Sequence, residues 1–320
     1  MSNGTKPSID GVLAIWKPTG FTSHDVVAKA RGILRERRIG HTGTLDPAVT
    51  GVLPLCIGKA TRFVEYLQEL PKTYEATLRF GMATDTEDLS GNVTEEMDAS
   101  FLTEEAIMSA ARSFIGEIDQ IPPMVSAVKM NGKRLYELAR EGIVVERPSR
   151  RVHIYELDVL RVSTEAPNPT VTFSVTCSKG TYIRTLCVDI GRKLGVPAVM
   201  AELIRTESAG LNRSHCVTLE QLAELKEQGR LREKLLAADA LVDMPRTTVS
   251  EPESTYVLQG KTIEAGRLQP PPDREGLWKL YRSDGAFLGL FVVDESMRSV
   301  RPVKVFHPSD NQGPGNIESD

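Results

Sequence analysis

The chain has 320 residues, of which 40% are hydrophobic and 26% are charged, with a formal net charge of −4. This composition is typical of a globular protein with room for two domains, and its apolar runs are too short to cross a bilayer. The polar N-terminus lacks a signal-peptide core, and the four cysteines show no C-x-x-C spacing. We therefore expect a cytoplasmic protein without a disulfide framework or a metal site.

The predicted elements alternate between strands and helices up to about residue 244. An apolar run predicts a strand, and a polar cap followed by apolar residues at helical spacing predicts a helix. Thr218 and Gln221 form a predicted capping box. The predicted strands are 11–16, 52–57, 73–80, 151–162 and 170–177, and the predicted helices are 23–34 with Ser23 as N-cap, 60–70, 103–115, 182–194, one from Thr218 and 231–238.

The sequence from Pro245 onward differs in its residue pattern from the rest of the chain. Short strand-like runs at 255–258, 276–281 and 286–293 are separated by turn residues. This predicts a small all-β module at 245–307, of about sixty residues, after a first domain at 1–244. The tail 308–320 is rich in Gly, Asp and Asn and is predicted to be disordered.

Charge is segregated along the chain. Residues 1–62 carry nine Lys and Arg against four acids, and residues 129–151 carry seven against three. Residues 85–107 carry eight acids and no basic residue, and the acidic stretch 85–98 is predicted to be a loop. A basic face could bind a polyanion. These runs could equally be solvated helix faces.

The most informative segment is GHTGTLDPAVTGVLPLCIGKATR at 40–62, which holds a single carboxylate, Asp46. Four glycines and two prolines impose backbone shapes around this acid. His41, Lys59 and Arg62 flank it. The segment therefore predicts a loop built to hold Asp46 in place, although Asp before Pro is also common in an ordinary turn.

Two further residues are candidates for the same site, and the first of them stands against local preference. Arg184 lies in the first turn of the 182–194 helix, where a cation meets the positive end of the helix dipole. A carboxylate partner would offset that cost, and Asp46 is the candidate; the alternative is a surface arginine lying over its own stem. Tyr74 lies on the inward face of its strand, where its ring could stack on a nucleobase or simply pack in the core.

Residues 120–140 read QIPPMVSAVKMNGKRLYELAR. The two prolines exclude a helix at the start, so the segment predicts a rigid extended lead into a basic helix. Such a helix could present basic side chains to phosphates. The candidates are Lys129, Lys133, Arg134 and Arg140.

Several separated motifs, taken in order, resemble the TruB family of bacterial tRNA pseudouridine synthases, which isomerise uridine 55 in the T loop of tRNA. The resemblance spans about residues 10–306. It rests on GVL at 11–13 with Lys17 and Pro18, GHTGTLDP at 40–47, KTY at 72–74, TDT at 84–86, the 120–140 segment, SKGTYIRT at 178–185, and Leu203 with Arg205. One departure is visible, because Ile204 stands where many relatives have arginine.

The resemblance implies an α+β fold, in which a mixed, mainly antiparallel sheet is flanked by helices and followed by a small β-barrel-like PUA domain. It implies an isomerase that flips out its target base and needs no cofactor. It also implies roles for individual residues: Asp46 as the catalytic carboxylate, Tyr74 and Leu203 against the flipped base, Arg184 on Asp46, His41 in the vacated space of the T loop, Lys17, Pro18, Tyr182 and Arg205 as supports, and the segment 119–151 as a grip on the T arm.

The expected partner is tRNA, through its T arm and its acceptor end, with no membrane, no obligatory protein partner and a monomeric state. Two other functions remain open from the sequence. One is a tRNA-binding or tRNA-folding protein without catalysis, and the other is a pseudouridine synthase directed by a guide RNA. An enzyme acting on a small nucleoside is disfavoured, because it would not need the extra module or the segregated charge.

Overall fold

The computed structural model describes residues 9–126, 128–130, 132–164, 168–294 and 296–307. The predicted disordered tail lies outside the described residues. Up to residue 245, the strands are β1 Gly11–Lys17, β2 Ile39–His41, β3 Thr50–Ile57, β4 Lys72–Phe80, β5 Met82–Thr84, β6 Val93–Glu96, β7 Gly116–Gln120, β8 Lys129–Met130, β9 Lys133–Arg134, β10 Arg150–Ser163, β11 Thr170–Cys177 and β12 Ala198–Ser208.

The helices of the same part are short. Among the described residues they are accompanied by 3-10 turns at Gly58–Phe63, Arg213–His215 and Leu231–Lys234. The helices are α1 Ser23–Leu34, α2 Val64–Glu69, α3 Glu104–Arg112, α4 Leu135–Arg140, α5 Ile183–Lys193 and α6 Leu219–Glu227.

A mixed sheet forms the centre of this part. Within the described residues its strand order is β1-β3-β12-β4-β11-β10-β7, and β2 also pairs with β3. All neighbours are antiparallel except β12 and β3, which run parallel. The expected mixed and mainly antiparallel sheet is therefore confirmed. The tight approach of β3 to β12 requires Gly51, because a Cβ there would lie 2.2 Å from the Arg205 carbonyl oxygen.

Because successive side chains of a strand point to opposite faces, the hydrophobic core is divided between the two faces of the sheet. Leu13 and Ile15 of β1 pack with α1 and α6, whereas Val12 and Ala14 face the opposite way. A larger cluster lies between β4, β11 and β12 and the helices α3 and α5. The inward face predicted for β4 is confirmed, since Tyr74, Ala76, Leu78 and Phe80 are all buried.

A second sheet follows, built from β13 Arg246–Val249, β14 Ile263–Glu264, β15 Gly276–Arg282, β16 Phe287–Val293 and β17 Ser299–Val305, with the helix α7 Glu251–Leu258 and a 3-10 turn at Ala265–Arg267. Its strand order is β13-β15-β16-β17-β14. It packs on the first part, because Phe287 and Phe306 stack at 5.8 and 5.4 Å from Phe63. The Tyr281 hydroxyl also donates to Asp239 at 2.7 Å.

Four local predictions were wrong. The run 255–258 is helical and belongs to α7, because Ser250 precedes it as N-cap and Pro252 lies in the first turn. The predicted helix 231–238 is only the short turn Leu231–Lys234. The acidic segment 85–98, predicted as loop, contains the exposed strand β6. The N-cap of α1 is Thr22 rather than Ser23, and Thr22 forms a capping box with Asp25.

No helix of the described chain combines the length and the apolar character that a bilayer crossing requires.

Candidate active site

The loop between β2 and β3 carries Asp46 and is held at several points by the start of the chain. The Ser23 hydroxyl accepts from the Leu45 amide at 2.9 Å and donates to the Leu45 carbonyl at 3.3 Å. The Gly20 amide donates to the Pro47 carbonyl at 2.8 Å. Both neighbours of Asp46 are therefore fixed by hydrogen bonds, which agrees with the constrained loop predicted from its Gly and Pro content.

Lys17, at the end of β1, is hydrogen-bonded to the same loop. Its side chain is fully buried, and its ammonium donates to the carbonyls of Pro18 at 2.9 Å, Phe21 at 2.6 Å and Pro47 at 3.2 Å. Burial lowers the pKa of Lys17 to about 8, while the charge of Asp46 opposes that shift. Lys17 and Pro18 thus lie where a support of the Asp46 loop is expected.

The predicted pair between Asp46 and Arg184 is present. The Nη2 atom of Arg184 lies 3.1 Å from Oδ2 of Asp46. The same guanidinium donates from Nη1 to the Thr86 carbonyl at 2.9 Å and from Nη2 to the Val125 carbonyl at 2.8 Å. The Arg184 side chain is only 5% exposed, whereas that of Asp46 is 42% exposed. The buried guanidinium of Arg184 therefore orients the Asp46 carboxylate, which stays partly exposed to solvent.

The first turn of α5, which carries Arg184, is fixed by a residue to which sequence reasoning gave no role. The Gln120 side chain accepts from the Tyr182 amide at 2.8 Å and donates to the Tyr182 carbonyl at 3.0 Å. Tyr182 is the N-cap of α5 and makes no side-chain cap of its own. Gln120 lies in the motif before the two prolines, but its 62-residue separation from Tyr182 gave no local signal.

Glu87 is the second residue that sequence reasoning missed. Its carboxylate accepts from the Thr185 hydroxyl at 2.7 Å, and its backbone has a φ of 64°. Burial raises the pKa of Glu87, while the hydroxyl bond and the charge of Arg184 oppose that shift. This contact holds the turn that presents the Thr86 carbonyl to Arg184. A residue other than glycine at positive φ marks a backbone held by its surroundings.

Tyr74, Leu203 and Arg205 meet on one face of the sheet. In the register of β4 and β12, Arg205 pairs with Tyr74 and Leu203 pairs with Ala76. Tyr74 is 8% exposed, and Leu203 packs partly buried against the cluster that contains Tyr74. Leu45 of the Asp46 loop belongs to that cluster too. An apolar wall therefore lies next to the carboxylate.

His41 lies at the end of β2, at the base of the loop. Its Nδ1 accepts from the Gly43 amide at 3.3 Å, and its ring meets the ring of His24 edge to face at 5.6 Å. Burial lowers the pKa of His41 to about 4, and the charges of His24 and Arg205 act in the same direction. His41 is therefore a neutral imidazole near neutral pH.

The predicted basic helix is wrong as an element. Lys129 belongs to β8, whereas Lys133 and Arg134 form β9 of the same small hairpin, and only Arg140 lies in the six-residue helix α4. The sequence Asn-Gly before Lys133 is typical of hairpins and disfavours a continuous helix. The guanidinium groups of Arg134 and Arg140 lie 5.8 and 5.4 Å from the ring of Tyr136.

The segment 120–140, which contains these cations, borders the site, because its Val125 carbonyl accepts a hydrogen bond from Arg184.

In the described part of the chain, no group of three or more His, Cys, Asp or Glu side chains is arranged to hold a metal ion.

Three family models match consecutive parts of the chain. The description "TruB family pseudouridylate synthase (N terminal domain)" matches residues 31–183. The descriptions "tRNA pseudouridylate synthase B C-terminal domain" and "Pseudouridine synthase II TruB, C-terminal" match residues 184–243 and 245–303.

Similar proteins include several bacterial sequences named tRNA pseudouridine synthase B. That of Symbiobacterium thermophilum is 51% identical over 258 residues, which cover 81% of this chain and 84% of the relative. That of Bacillus pumilus is 48% identical over 273 residues, covering 83% and 85%. That of Geobacillus thermodenitrificans is 44% identical over 304 residues, covering 93% and 100%.

Similar solved structures include a chain of a Cbf5-Nop10-Gar1 complex, with a TM-score of 0.72 and 30% identity over 94% of this chain and 86% of that one. A chain of an H/ACA RNP bound to a substrate RNA containing 2'-deoxyuridine has a TM-score of 0.71 and 27% identity over the same shares.

Proposed function

Because this chain belongs to the TruB family of pseudouridylate synthases, we propose that Asp46 is the carboxylate with which it isomerises uridine 55 in the T loop of tRNA. Its relatives are named tRNA pseudouridine synthase B, and the chain is accordingly an isomerase that forms pseudouridine in tRNA. The observation that carries the site assignment is the 3.1 Å pair between Arg184 and Asp46 beside the buried ring of Tyr74.

The reaction breaks the bond between N1 of uracil and C1' of ribose, turns the base, and joins C5 to C1'. The proton on C5 must then leave. Asp46 can attack the ribose or the uracil, or it can remove a proton from the sugar. All three routes need an oriented carboxylate with one accessible edge. The partly exposed Asp46, held by the buried Arg184, supplies that geometry through a charge-assisted hydrogen bond.

A base that is stacked in the T loop cannot reach this carboxylate, so the nucleotide must be flipped out at a cost of a few kcal/mol. In this proposal the ring of Tyr74 stacks on the uracil and Leu203 packs against it. Contacts of both kinds offset the cost of flipping. Tyr74 is also the proposed acceptor of the C5 proton. The neutral ring of His41 takes the space that the flipped base leaves in the loop.

The grip on RNA is assigned to the exposed or half-exposed cations Lys129, Lys133, Arg134 and Arg140, together with the segment 119–151 around them. Cations of this kind position a nucleic acid through its phosphates. The second sheet is proposed to be a PUA-like domain at 245–307 that contacts the acceptor end of tRNA, following a catalytic domain at 1–244. A monomeric state and a cytoplasmic location remain predictions of the same proposal.

A guide-directed synthase is the second candidate, because this chain resembles a chain of a Cbf5-Nop10-Gar1 complex and a chain of an H/ACA RNP bound to a substrate RNA. We prefer a synthase that acts without partner proteins or a guide RNA, since relatives at 44–51% identity are named tRNA pseudouridine synthase B. Activity of the purified chain alone on a T-arm RNA separates the two. Turnover that appears only after proteins and a guide RNA are added would favour the second candidate.

The test uses T-arm RNA labelled with tritium at C5 of its uridines. The wild-type chain should release tritium, and carbodiimide mapping should place the pseudouridine at position 55. Asp46→Asn should abolish release and keep RNA binding, because the amide cannot act as a base or a nucleophile. Asp98→Asn, an exposed aspartate on a loop outside the site, serves as the matched control. Near-normal turnover of Asp46→Asn would contradict the assignment.

A further inference from the structure

Glu87 is a carboxylate in an unfavourable position beside the first turn of α5. Its backbone has a φ of 64°, a conformation that is strained for any residue with a Cβ. Its side chain is half-buried, and burial disfavours the charged form of a carboxyl group. A glycine would avoid both penalties at this point of the chain. A residue that carries two such costs next to a reaction site is a candidate for a functional role.

Two neighbouring hydrogen bonds join the turn at 84–88 to the first turn of α5. Arg184 donates from Nη1 to the Thr86 carbonyl at 2.9 Å. The next residue of the helix, Thr185, donates from its hydroxyl to the Glu87 carboxylate at 2.7 Å. Thr185 is only 5% exposed, so this second bond is shielded from water. Together the two bonds set the position of the turn relative to the helix, and with it the position of the carbonyl that Arg184 uses.

The same turn is also bound to the sheet, but through its main chain. The Met200 amide of β12 donates to the Glu87 carbonyl at 3.1 Å, and the Glu87 amide donates to the Thr84 carbonyl at 3.3 Å. Main-chain bonds of this kind do not depend on the side chain at position 87. A substitution of Glu87 therefore removes the bond to Thr185 and leaves the turn attached to the sheet.

We propose that Glu87 is a positioning residue that, through Thr185, holds the Thr86 carbonyl against Arg184 and so fixes the angle at which Arg184 meets Asp46. Nη2 of Arg184 is shared between the Val125 carbonyl at 2.8 Å and Asp46 at 3.1 Å. Because the guanidinium is planar and rigid, the acceptor on Nη1 determines where Nη2 points. The inference rests on the proposed function and adds a specific claim, that Glu87 acts through Arg184 rather than on the uracil.

A double-mutant cycle tests this claim with wild type, Glu87→Ala, Thr185→Val and the double variant. Valine has nearly the shape of threonine and removes only the hydroxyl. Single-turnover rates of pseudouridine formation on T-arm RNA are measured at saturating enzyme. Each single variant should slow the reaction by at least about 10-fold, and the double variant should be no more than about twofold slower than the worse single variant. RNA affinity should change by less than about threefold, since the effect lies in geometry after binding.

Conservative variants test whether the bond itself is what matters, and they guard against a variant that does not fold. Glu87→Gln keeps an oxygen that can accept from Thr185, and Thr185→Ser keeps the hydroxyl that donates. Both should react within about threefold of wild type. Glu95→Ala is the matched control, because it removes the same charge from the same acidic segment at an exposed position on β6. It should react at the wild-type rate.

Glu87→Gly separates positioning from folding. Glycine adopts a φ of 64° without strain, so this variant should have a higher urea midpoint than Glu87→Ala. It should nevertheless react as slowly as Glu87→Ala, because it also lacks the acceptor for Thr185. If the rate recovers together with the stability, the role of Glu87 is merely structural and the inference is overturned.

The Arg184→Lys background tests whether Glu87 acts through Arg184. In that background Glu87→Ala should slow the reaction by no more than about twofold further. Coupling of at least about fivefold in both cycles supports the inference, and weaker coupling in either cycle overturns it. A Glu87→Ala chain that reacts as fast as wild type also overturns it. A wild-type chain that forms no pseudouridine on this RNA overturns the proposed function instead.

Discussion

Replacing Arg184 by lysine is the sharpest probe of the ion pair at the site, because it keeps the charge and removes the planar fork. The guanidinium donates to the Thr86 carbonyl at 2.9 Å through Nη1, and through Nη2 it reaches the Val125 carbonyl at 2.8 Å and Asp46 at 3.1 Å. A lysine ammonium is a single point donor and cannot occupy both Nη positions. At least one of the three contacts must therefore be lost, and the carboxylate loses its fixed orientation.

The size of the effect follows from the bonds that are lost. A hydrogen bond to a charged group contributes about 1.5–3 kcal/mol. If that loss appears in the transition state, the rate falls about 10- to 150-fold, since about 1.4 kcal/mol corresponds to a factor of ten. Folding should suffer less, because the Asp46 side chain is 42% exposed and water can replace its partner.

The assay is single-turnover tritium release from C5-labelled T-arm RNA, with RNA affinity measured separately. Arg184→Lys should react slowly at saturating enzyme and bind RNA within about threefold of wild type. Arg192→Lys is the matched control, because it makes the same exchange on the same helix at a side chain that is 73% exposed. A correctly folded Arg184→Lys chain that reacts within about threefold of the wild-type rate would refute the reasoning.

Three further predictions concern the surroundings of the site. Gln120→Leu removes both bonds to the backbone of Tyr182 and should lower the free energy of unfolding by about 1–3 kcal/mol and slow turnover; an unchanged urea midpoint and rate would contradict it. Burial lowers the pKa of His41 from 6.5 to about 4, so the unfolded state binds its proton first. As pH falls from 6.5 towards 4, wild type should therefore lose stability relative to His41→Gln, and a difference independent of pH in urea titrations would exclude this. Replacing Lys133 and Arg140 together by glutamine should weaken RNA binding and flatten its salt dependence while sparing the rate at saturation, and an unaltered salt slope would argue against phosphate contacts there.

Much of the site was predictable because its signals are local. The crowding of glycine and proline around Asp46 predicted a held loop, and the cation at the start of α5 predicted a carboxylate partner. Alternation along β4 placed Tyr74 inward, and Thr218 began α6 with the expected capping box. In each case a residue type violated or satisfied a preference that depends only on its near neighbours in the chain.

Other features depended on contacts between distant segments. The Ser23 hydroxyl, predicted to cap α1, instead holds Leu45, 22 residues away. Gln120 fixes the start of α5 across 62 residues. The basic helix predicted from the composition of residues 129–140 is a small hairpin followed by a short helix. Composition recorded the charge of this segment correctly, but not the backbone shape that presents it.

The amino-acid sequence alone therefore determined which residues are proposed to carry the chemistry, since a solitary acid, an inward aromatic ring and a cation at a helix N-terminus are visible without coordinates. Only the tertiary structure decided that Arg205 lies opposite Tyr74 and beneath Gly43. The physical reason is the register of the sheet. The pairing of β12 with β4 and β3 is fixed by the packing of the whole domain, and a shift of one residue would turn each of these side chains to the opposite face.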